Sequence, residues 1–331
     1  MPPVMNPLRR GALAALAVVG GSWLLSPAMA QDGVWPQKPI QLVIPYPPGG
    51  SADLLARPLA LQLQQQMGRP VLLEYKPGAG GTIASQYVAR SKPDGYTVLM
   101  VLAAHAINDS LYPKLPYDTR KDFTPISLVA HLPMIVVGSH KLKARNIAEL
   151  IAAAKASPGS LTFGSAGNGN TGHLAGEYFG NMAGVKMTHV PNTGSAGVVN
   201  AMLAGDIDLS FDSISTSIPH VRSGKMHALA VTSPQRSPLD ASIPTVKEQG
   251  LPAFEVNGWY AILGPAAMPE AVTRKLSQEI ATSLKNAPFK AQLEASGYEP
   301  VGSTPQALGR HIDAEIQRWS SVVAASGAKV E

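Results

Sequence analysis

The 331-residue chain contains no cysteine. Without a thiol it can form no disulfide, no thiolate metal site and no cysteine nucleophile, and no lipid-modified N-terminal cysteine can tether it to a membrane. Charged residues are also scarce, at 15% of the chain. Glycine and proline are abundant instead, with 31 and 29 residues scattered between periodic segments, which indicates a globular protein with many turns.

Residues 1–30 have the organisation of a secretory signal peptide. The basic segment MPPVMNPLRR precedes a fifteen-residue apolar run, GALAALAVVGGSWLL, and Ala28 to Ala30 form a small-x-small cleavage site. The apolar run is shorter than the roughly 20 residues that a bilayer crossing needs. We therefore expect export to the periplasm and a soluble product after cleavage behind Ala30, by the Sec or the twin-arginine pathway, since the Arg9-Arg10 pair leaves both open.

Charge excludes one class of partner. Without residues 1–30, which carry two arginines and no acid, 25 basic residues face 22 acidic ones, a net charge of +3. The basic residues form no block, so the chain is not expected to bind nucleic acid. A weak positive charge remains compatible with an anionic ligand.

Four glycine-rich turns share one design, in which a short strand-type run precedes the turn and a helix-type segment follows it. They lie within IPYPPGGSADLLAR, EYKPGAGGTIAS, SLTFGSAGNGNTGHLA and KMTHVPNTGSAGVV. The alternation predicts an α/β fold of parallel βαβ units with all four turns at the carboxyl edge, where ligands bind. Glycine lets a ligand approach the backbone, and each helix start offers N–H groups at the positive end of its dipole. The pattern predicts an anion cradle built from neutral backbone.

The first of these turns also predicts local contacts. Ser51 is expected to cap the helix that follows, and Asp53 and Arg57 are expected to form an i, i+4 ion pair. Pro58 is expected to break the helical series early.

The signals for an enzyme are weak. GNGNTG at 167–172 matches the dinucleotide fingerprint G-x-G-x-x-G, but no Asp or Glu lies between Tyr178 and Gly205 to bind a ribose. The eight histidines form no H-E-x-x-H or other close cluster, so neither a metal nor another cofactor is expected. Ser165 lies in a turn without G-x-S-x-G. An exported serine hydrolase using Ser165 remains an alternative, as does a solute sensor that feeds a signalling partner, but no enzyme is predicted.

Longer motifs resemble a known family. WPQKPIQLVIPYPPGGSADLLARPLA, KPGAGGTIAS, FGSAGNGNTGHLAGEYF, HVPNTGSAGVVNAMLAGDIDLSFDS and IPTVKEQGLPAFEVNGWYAILGPAAMP are similar to motifs of the Bordetella uptake gene (Bug) receptors, the periplasmic solute-binding proteins of tripartite tricarboxylate transporters. The likeness covers nearly the whole chain after the signal segment. It implies a class II periplasmic-binding-protein fold, with two lobes and a ligand cleft at the hinge.

The resemblance also implies domains and partners. Residues 36–130 and 232–331 are expected to form one discontinuous lobe, and residues 131–231 the second lobe. The expected ligand is a small carboxylate, namely a di- or tricarboxylate, an amino acid or an aromatic acid. The expected partners are the membrane permease subunits of a tripartite tricarboxylate transporter, and the receptor itself is expected to be a monomer.

The family's ligand-binding positions can be carried over to this sequence. In the first lobe the resemblance implies contacts from Tyr46, Gly49, Gly50, Ser51, Gly80, Gly81 and Thr82, and in the second lobe from Ser165, Asn168, Thr171, His173, Asn192 and Asp212. One turn departs from the family. Many relatives continue HVP with Tyr-Lys-Gly, whereas this chain has Asn192-Thr193-Gly194, which removes an aromatic wall and a positive charge and leaves the charge of the ligand open.

The signal segment yields a direct prediction. Exported protein should begin at Gln31, because the A-x-A site ends at Ala30. Intact-mass analysis of the secreted fraction measures this. A membrane-bound species that retains residues 1–30 would contradict it.

Overall fold

The computed structural model describes residues 35–326, so the predicted signal segment and its cleavage site lie outside the described residues. In chain order the strands and helices are β1 (Ile40–Ile44), α1 (Ser51–Met67), β2 (Val71–Tyr75), α2 (Thr82–Ala89), β3 (Thr97–Leu102), α3 (Ala104–Leu111), β4 (Phe123–Gly138), α4 (Ile147–Ala156), β5 (Thr162–Ser165), α5 (Thr171–Ala183), β6 (Thr188–Pro191), α6 (Gly194–Ala204), β7 (Leu209–Ser213), α7 (Ile214–Arg222), β8 (His227–Val231), β9 (Asn257–Pro265), α8 (Glu270–Lys285), α9 (Ala287–Ala295), β10 (Glu299–Pro300) and α10 (Pro305–Ser326).

The strands form a mixed sheet in the order β2-β1-β3-β9-β4-β7-β5-β6, with β8 and β10 also paired to β4. The pairs β1–β2, β1–β3, β5–β6 and β5–β7 are parallel, as the βαβ pattern predicts. The middle of the sheet is antiparallel, because β9 returns from late in the chain to lie between β3 and β4. The βαβ pattern alone does not predict this insertion, although the resemblance assigned residues 232–331 to the same lobe as residues 36–130.

The long strand β4 is shared by both parts of the sheet. It pairs with β9 up to Pro133 and with β7 from Met134 onward. The change of partner lies close to the boundary predicted at 130/131, although the two-lobe division itself stays a prediction. The buried apolar residues form separate clusters on the two sides of this point, one around Val43, Leu99 and Trp259 and one around Phe163 and Phe211.

Helix α1 shows where a local prediction fails. It continues through Pro58 to Met67 and ends at Gly68, whose φ of 65° is left-handed. Proline removes one backbone bond, to the carbonyl of Leu54, but Leu54 is 43% exposed, so water can replace the lost donor. Buried leucines on the opposite face, such as Leu55 and Leu59, keep the helix on the sheet. The prediction that Pro58 breaks the series is therefore wrong.

Within residues 35–326, none of the helices combines the length and the apolarity that a membrane crossing requires.

Candidate functional site

The four glycine-rich turns follow β1, β2, β5 and β6, and they meet in pairs. The first turn faces the fourth, since a methyl group placed on Gly50 would lie 3.8 Å from Cβ of Ser195. The second turn faces the third, since a methyl group on Gly80 would lie 3.3 Å from the backbone oxygen of Asn168. The space between these turns contains two adjoining cavities.

The inner cavity contains about 560 Å³ of space between protein atoms, part of it open to solvent. The starts of α1, α5, α6 and α7 border it, together with side chains of β9. Its lining residues are Tyr46, Gly50, Ser51, Ala52, Leu102, Ala103, Met134, Ala166, Asn170, Thr171, Gly172, Ser195, Phe211, Asp212, Ser213, Gly258, Trp259 and Tyr260.

The outer chamber adjoins the inner cavity, with which it shares Tyr46 and Ala166. It lies where the four turns approach each other at the edge of the cleft. Its lining residues are Tyr46, Pro47, Pro77, Gly78, Ala79, Gly80, Tyr112, Ala166, Gly167, Asn168, Asn192, Thr193 and Gly194.

Three helices that begin at the turns lack side-chain caps. The N-cap positions of α1, α2 and α6 are Gly50, Gly81 and Thr193, and none of them makes a side-chain cap hydrogen bond. The fourth such helix, α5, is capped by Asn170, whose side-chain oxygen accepts from the N–H of His173, in the same way that Asn146 caps α4 and Asn286 caps α9. Uncapped N–H groups of α1 and α6 are therefore available to a ligand at the positive helix ends.

Ser51 is oriented by the residues around it. It is the first residue of α1 and not its cap, so that prediction is wrong. Its hydroxyl oxygen accepts from the hydroxyls of Tyr260 at 2.7 Å and Ser213 at 3.1 Å. Because a serine hydroxyl has two acceptor positions and one donor hydrogen, the O–H of Ser51 remains free to donate into the inner cavity. Burial raises the pKa of Tyr260 to about 12, so Tyr260 stays a donor.

Asp53 holds the first turn in place. Its carboxylate accepts from the backbone N–H of Gly49 at 2.8 Å, from the hydroxyl of Tyr75 and from Arg57, which confirms the predicted i, i+4 pair. Burial alone would raise the pKa of Asp53, but these hydrogen bonds outweigh burial and lower it. The N–H of Gly49 is occupied by Asp53, so Gly49 shapes the turn and does not offer its N–H to a ligand.

Two histidines support the third turn. Oγ of Ser165 lies 2.7 Å from Nε2 of His189, and Nδ1 of His173 accepts from the N–H of Gly169 at 3.2 Å. The two imidazole rings stack with centroids 4.0 Å apart. Burial lowers the pKa of His173 to about 4, and burial together with the charge of His173 lowers the pKa of His189 to about 3. Both rings are therefore neutral near pH 7.

The pairing of Ser165 with His189 does not make a hydrolase. Ser165 is 1% exposed, and its hydroxyl also donates to the backbone oxygen of Gly167. Within residues 35–326, no hydrogen bond or ion pair joins His189 to a carboxylate, the group that orients the base in a catalytic triad. The pair fixes the turn and leaves no reachable nucleophile.

Asp212 is the one Asp, Glu, Lys, Arg or His side chain that lines either cavity in the described part of the chain. Its Oδ2 accepts from the hydroxyls of Thr216 at 2.6 Å and Ser217 at 3.0 Å, both in the first turn of α7. Burial raises its pKa although these hydrogen bonds act in the opposite direction. Asp212 thus contributes to the start of α7 and also faces the inner cavity.

The predicted site residues divide into two groups. Those that line the inner cavity or the outer chamber are Tyr46, Gly50, Ser51, Gly80, Asn168, Thr171, Asn192 and Asp212. Those that line neither cavity are Gly49, Gly81, Thr82, Ser165 and His173. Sequence reasoning missed Trp259 and Tyr260, because only the late insertion of β9 brings them to the cavity.

Comparison with known proteins identifies the family that the chain is similar to. Residues 55–328 match the profile of the tripartite tricarboxylate transporter family receptor, TctC. Protein BugT of Bordetella pertussis is 35% identical over 322 residues, which cover 96% of this chain and 98% of that protein.

Solved structures extend the match to the fold. Rpa4515 of R. palustris, solved with adipate, has a TM-score of 0.86 at 34% identity over 89% of this chain and 100% of the other. MatC of Rhodopseudomonas palustris, solved with bound malate, has a TM-score of 0.83 at 29% identity over 87% and 99%. The predicted α/β fold of the periplasmic-binding-protein type is confirmed.

Substitutions at two glycines distinguish a loss of ligand contact from a loss of stability through backbone strain. Gly50 has an extended φ of −86° and faces Ser195, so Gly50→Val should cost no more than about 1 kcal/mol of stability while its side chain keeps the first and fourth turns apart. We expect carboxylate affinity to fall at least tenfold, or about 1.4 kcal/mol. Calorimetric titration beside urea unfolding measures both quantities.

Gly81→Val is the matched control. Gly81 has a φ of +91°, and a methyl group there would lie 3.2 Å from Cβ of Pro45, so the variant should lose about 1–3 kcal/mol of stability and keep most of its affinity per folded molecule. Wild-type affinity in Gly50→Val would show that the first turn does not contact the ligand.

His189 gives a pH prediction. Its pKa is about 3 in the folded protein against about 6.5 when unfolded, so only the unfolded state takes up the proton as pH falls between these values, and stability declines. His189→Gln lacks this loss. We expect the difference in unfolding free energy between wild type and variant to shrink by up to about 2 kcal/mol from pH 8 to pH 5. A difference that stays constant in urea titrations would contradict the buried neutral histidine.

Proposed function

The chain belongs to the tripartite tricarboxylate transporter receptor family, and we propose that it captures a small carboxylate and delivers it to the membrane subunits of such a transporter. The family consists of periplasmic solute-binding receptors and not of enzymes. What this receptor binds and which permease receives it are the proposed part.

The observation that carries the proposal is the composition of the inner cavity. Uncapped starts of α1 and α6 border it, Ser51 directs a hydroxyl donor into it, and no lysine or arginine lines it in the described part of the chain. Asp212, the one charged side chain there, already accepts from the hydroxyls of Thr216 and Ser217, so a ligand held by the remaining donors must be an acceptor and does not require an ion pair. A carboxylate satisfies this condition because its two oxygens accept several hydrogen bonds at once.

The hydrogen bonds that the inner cavity can offer are together strong enough for micromolar binding. One helix start contributes only about 0.3–1 kcal/mol from its dipole. Hydrogen bonds to a charged group contribute about 1.5–3 kcal/mol each, so four or five give about 6–15 kcal/mol before the costs of association, against about 8 kcal/mol for micromolar binding. Relatives solved with adipate and with malate support the same class of ligand.

Closure of the cleft is part of the proposal. We assign residues 36–130 and 232–331 to one lobe and residues 131–231 to the other, as the change of partner along β4 at Pro133 and Met134 supports. Bending at β4 and at the return into β9 would bring the turns together around the ligand. The receptor is further proposed to reach the periplasm by cleavage behind Ala30 and to act as a monomer.

Ligand binding is expected to raise the melting temperature of the mature protein without added metal or nucleotide. At a hundredfold excess over Kd, binding to the native state contributes about 2.7 kcal/mol. Each kcal/mol shifts Tm by about 2–4 °C for a chain of this size, so the shift should reach several degrees. A thermal-shift screen of C4 to C6 dicarboxylates, amino acids and aromatic acids measures it, and a tenfold loss of affinity in Gly50→Val should reduce the contribution to about 1.4 kcal/mol and the shift by about half.

If a neutral sugar or NAD protects the protein while no acid of the panel does, the proposed carboxylate function is overturned.

A further inference from the structure

The outer chamber differs chemically from the inner cavity, although the two adjoin at Tyr46 and Ala166. In the described part of the chain, no Asp, Glu, Lys, Arg or His lines it. Prolines and an alanine form its apolar surface, and its polar side chains are uncharged amides and hydroxyls. The side chains concerned are Pro47, Pro77, Ala79, Tyr112, Asn168, Asn192 and Thr193.

The positively charged side chains near the first and second turns are paired with carboxylates that lie outside the outer chamber. Nζ of Lys76, the residue before Pro77, lies 2.6 Å from the carboxylate of Glu74 and 4.0 Å from the ring centroid of Tyr87. Arg57 of α1 lies 2.9 Å from the carboxylate of Asp53. Neither side chain lines the outer chamber, so a second carboxylate placed there would find no positive side chain.

Oxygen atoms lie close to the α-carbon of Gly80. A methyl group on Gly80 would lie 3.2 Å from the hydroxyl oxygen of Tyr112 and 3.3 Å from the backbone oxygen of Asn168. Within the described residues the Tyr112 hydroxyl is buried without a hydrogen-bond partner. The backbone oxygen of Asn168 can only accept, whereas the Tyr112 hydroxyl can donate and accept, so an amide or hydroxyl of the ligand can pair with both groups and a carboxylate would leave the Asn168 oxygen without a donor.

We infer that the ligand is a monocarboxylate whose opposite end is an uncharged hydrogen-bond donor such as an amide or a hydroxyl, with the carboxylate in the inner cavity and the uncharged end in the outer chamber. This inference rests on the proposed carboxylate function and narrows its ligand class. The inner cavity offers several helix starts and the Ser51 donor, whereas the outer chamber borders one helix start, that of α6. A buried carboxylate without a cation or several donors is strongly disfavoured, so only one end of the ligand should carry charge.

Matched acids of equal length test the inference. Adipate, its monoamide 6-amino-6-oxohexanoate and hexanoate differ only at one end, and terephthalate and 4-carbamoylbenzoate form a rigid second pair. In calorimetric titrations of the mature protein we expect each monoamide to bind about tenfold more tightly than its diacid, a difference of about 1.4 kcal/mol. Hexanoate should bind more weakly than the monoamide, because its methyl end leaves the Tyr112 hydroxyl and the Asn168 carbonyl without a partner.

A charge placed in the outer chamber should reverse the preference. Thr193 is exposed, lines the outer chamber and makes no side-chain cap hydrogen bond, so Thr193→Lys adds a cation there without removing a contact. The ratio of diacid to monoamide affinity should rise about tenfold in this variant. Gln65→Lys is the control, since Gln65 is exposed on α1 outside both cavities and the net charge changes equally. It should leave the ratio unchanged.

The outcomes separate the two proposals. Diacids that bind the wild-type protein as tightly as their monoamides, or more tightly, overturn the inference but leave the carboxylate function in place. An equal change of the ratio in Thr193→Lys and Gln65→Lys also overturns it, because the effect would then come from net charge alone. If none of the five acids binds, the carboxylate function fails and the inference fails with it.

Discussion

The site depends on two helix N-termini that carry the same partial positive charge and face each other across a narrow gap. Uncapped N-termini of α1 and α6 approach so closely that a methyl group on Gly50 would touch Ser195. Each end carries about half a positive charge, so closing the two turns around an empty space is unfavourable, and an anion between them removes the repulsion. A capping side chain would reduce the same repulsion without a ligand, but the N-cap residue of α1 is Gly50, which has no side chain to do so.

The sheet places these helix starts where they can meet. Parallel pairs at both ends of the sheet direct the turns after β1, β2, β5 and β6 to one edge. The antiparallel strands β4 and β9 join the two parallel sets, and β9 adds the rings of Trp259 and Tyr260 to the wall of the inner cavity. Trp259 is itself fixed from behind, since its indole N–H donates to Glu315 at 2.9 Å. This hydrogen bond joins the Trp259 part of the wall to α10.

Sequence patterns predicted the parts of this protein that depend on local order. The strand-turn-helix units, the parallel pairs and the Asp53–Arg57 contact all follow from spacing, and the structure has them. The prediction that Ser51 caps α1 failed because the helix already includes Ser51 and has Gly50 at its N-cap, while Tyr260 and Ser213, far away in sequence, donate to the Ser51 hydroxyl oxygen. Similarly, the occupation of the Gly49 N–H by Asp53 could not be read from the glycine pattern. Long-range packing at Ser51 and a local carboxylate at Gly49 therefore decided which groups of the first turn remain free.

Recognition without a cation also has a mechanical consequence. A lysine or arginine would hold an anion in several orientations, because its side chain is long and carries its charge wherever it moves. The donors of the inner cavity are short and fixed, since backbone N–H groups belong to helices and the Ser51 hydroxyl is set by Tyr260 and Ser213. They offer full hydrogen bonds only when the facing turns are at the correct distance. In the proposed closing motion, binding strength would therefore be coupled to closure, which is the property a receptor needs if a membrane partner is to distinguish its loaded form from its empty form.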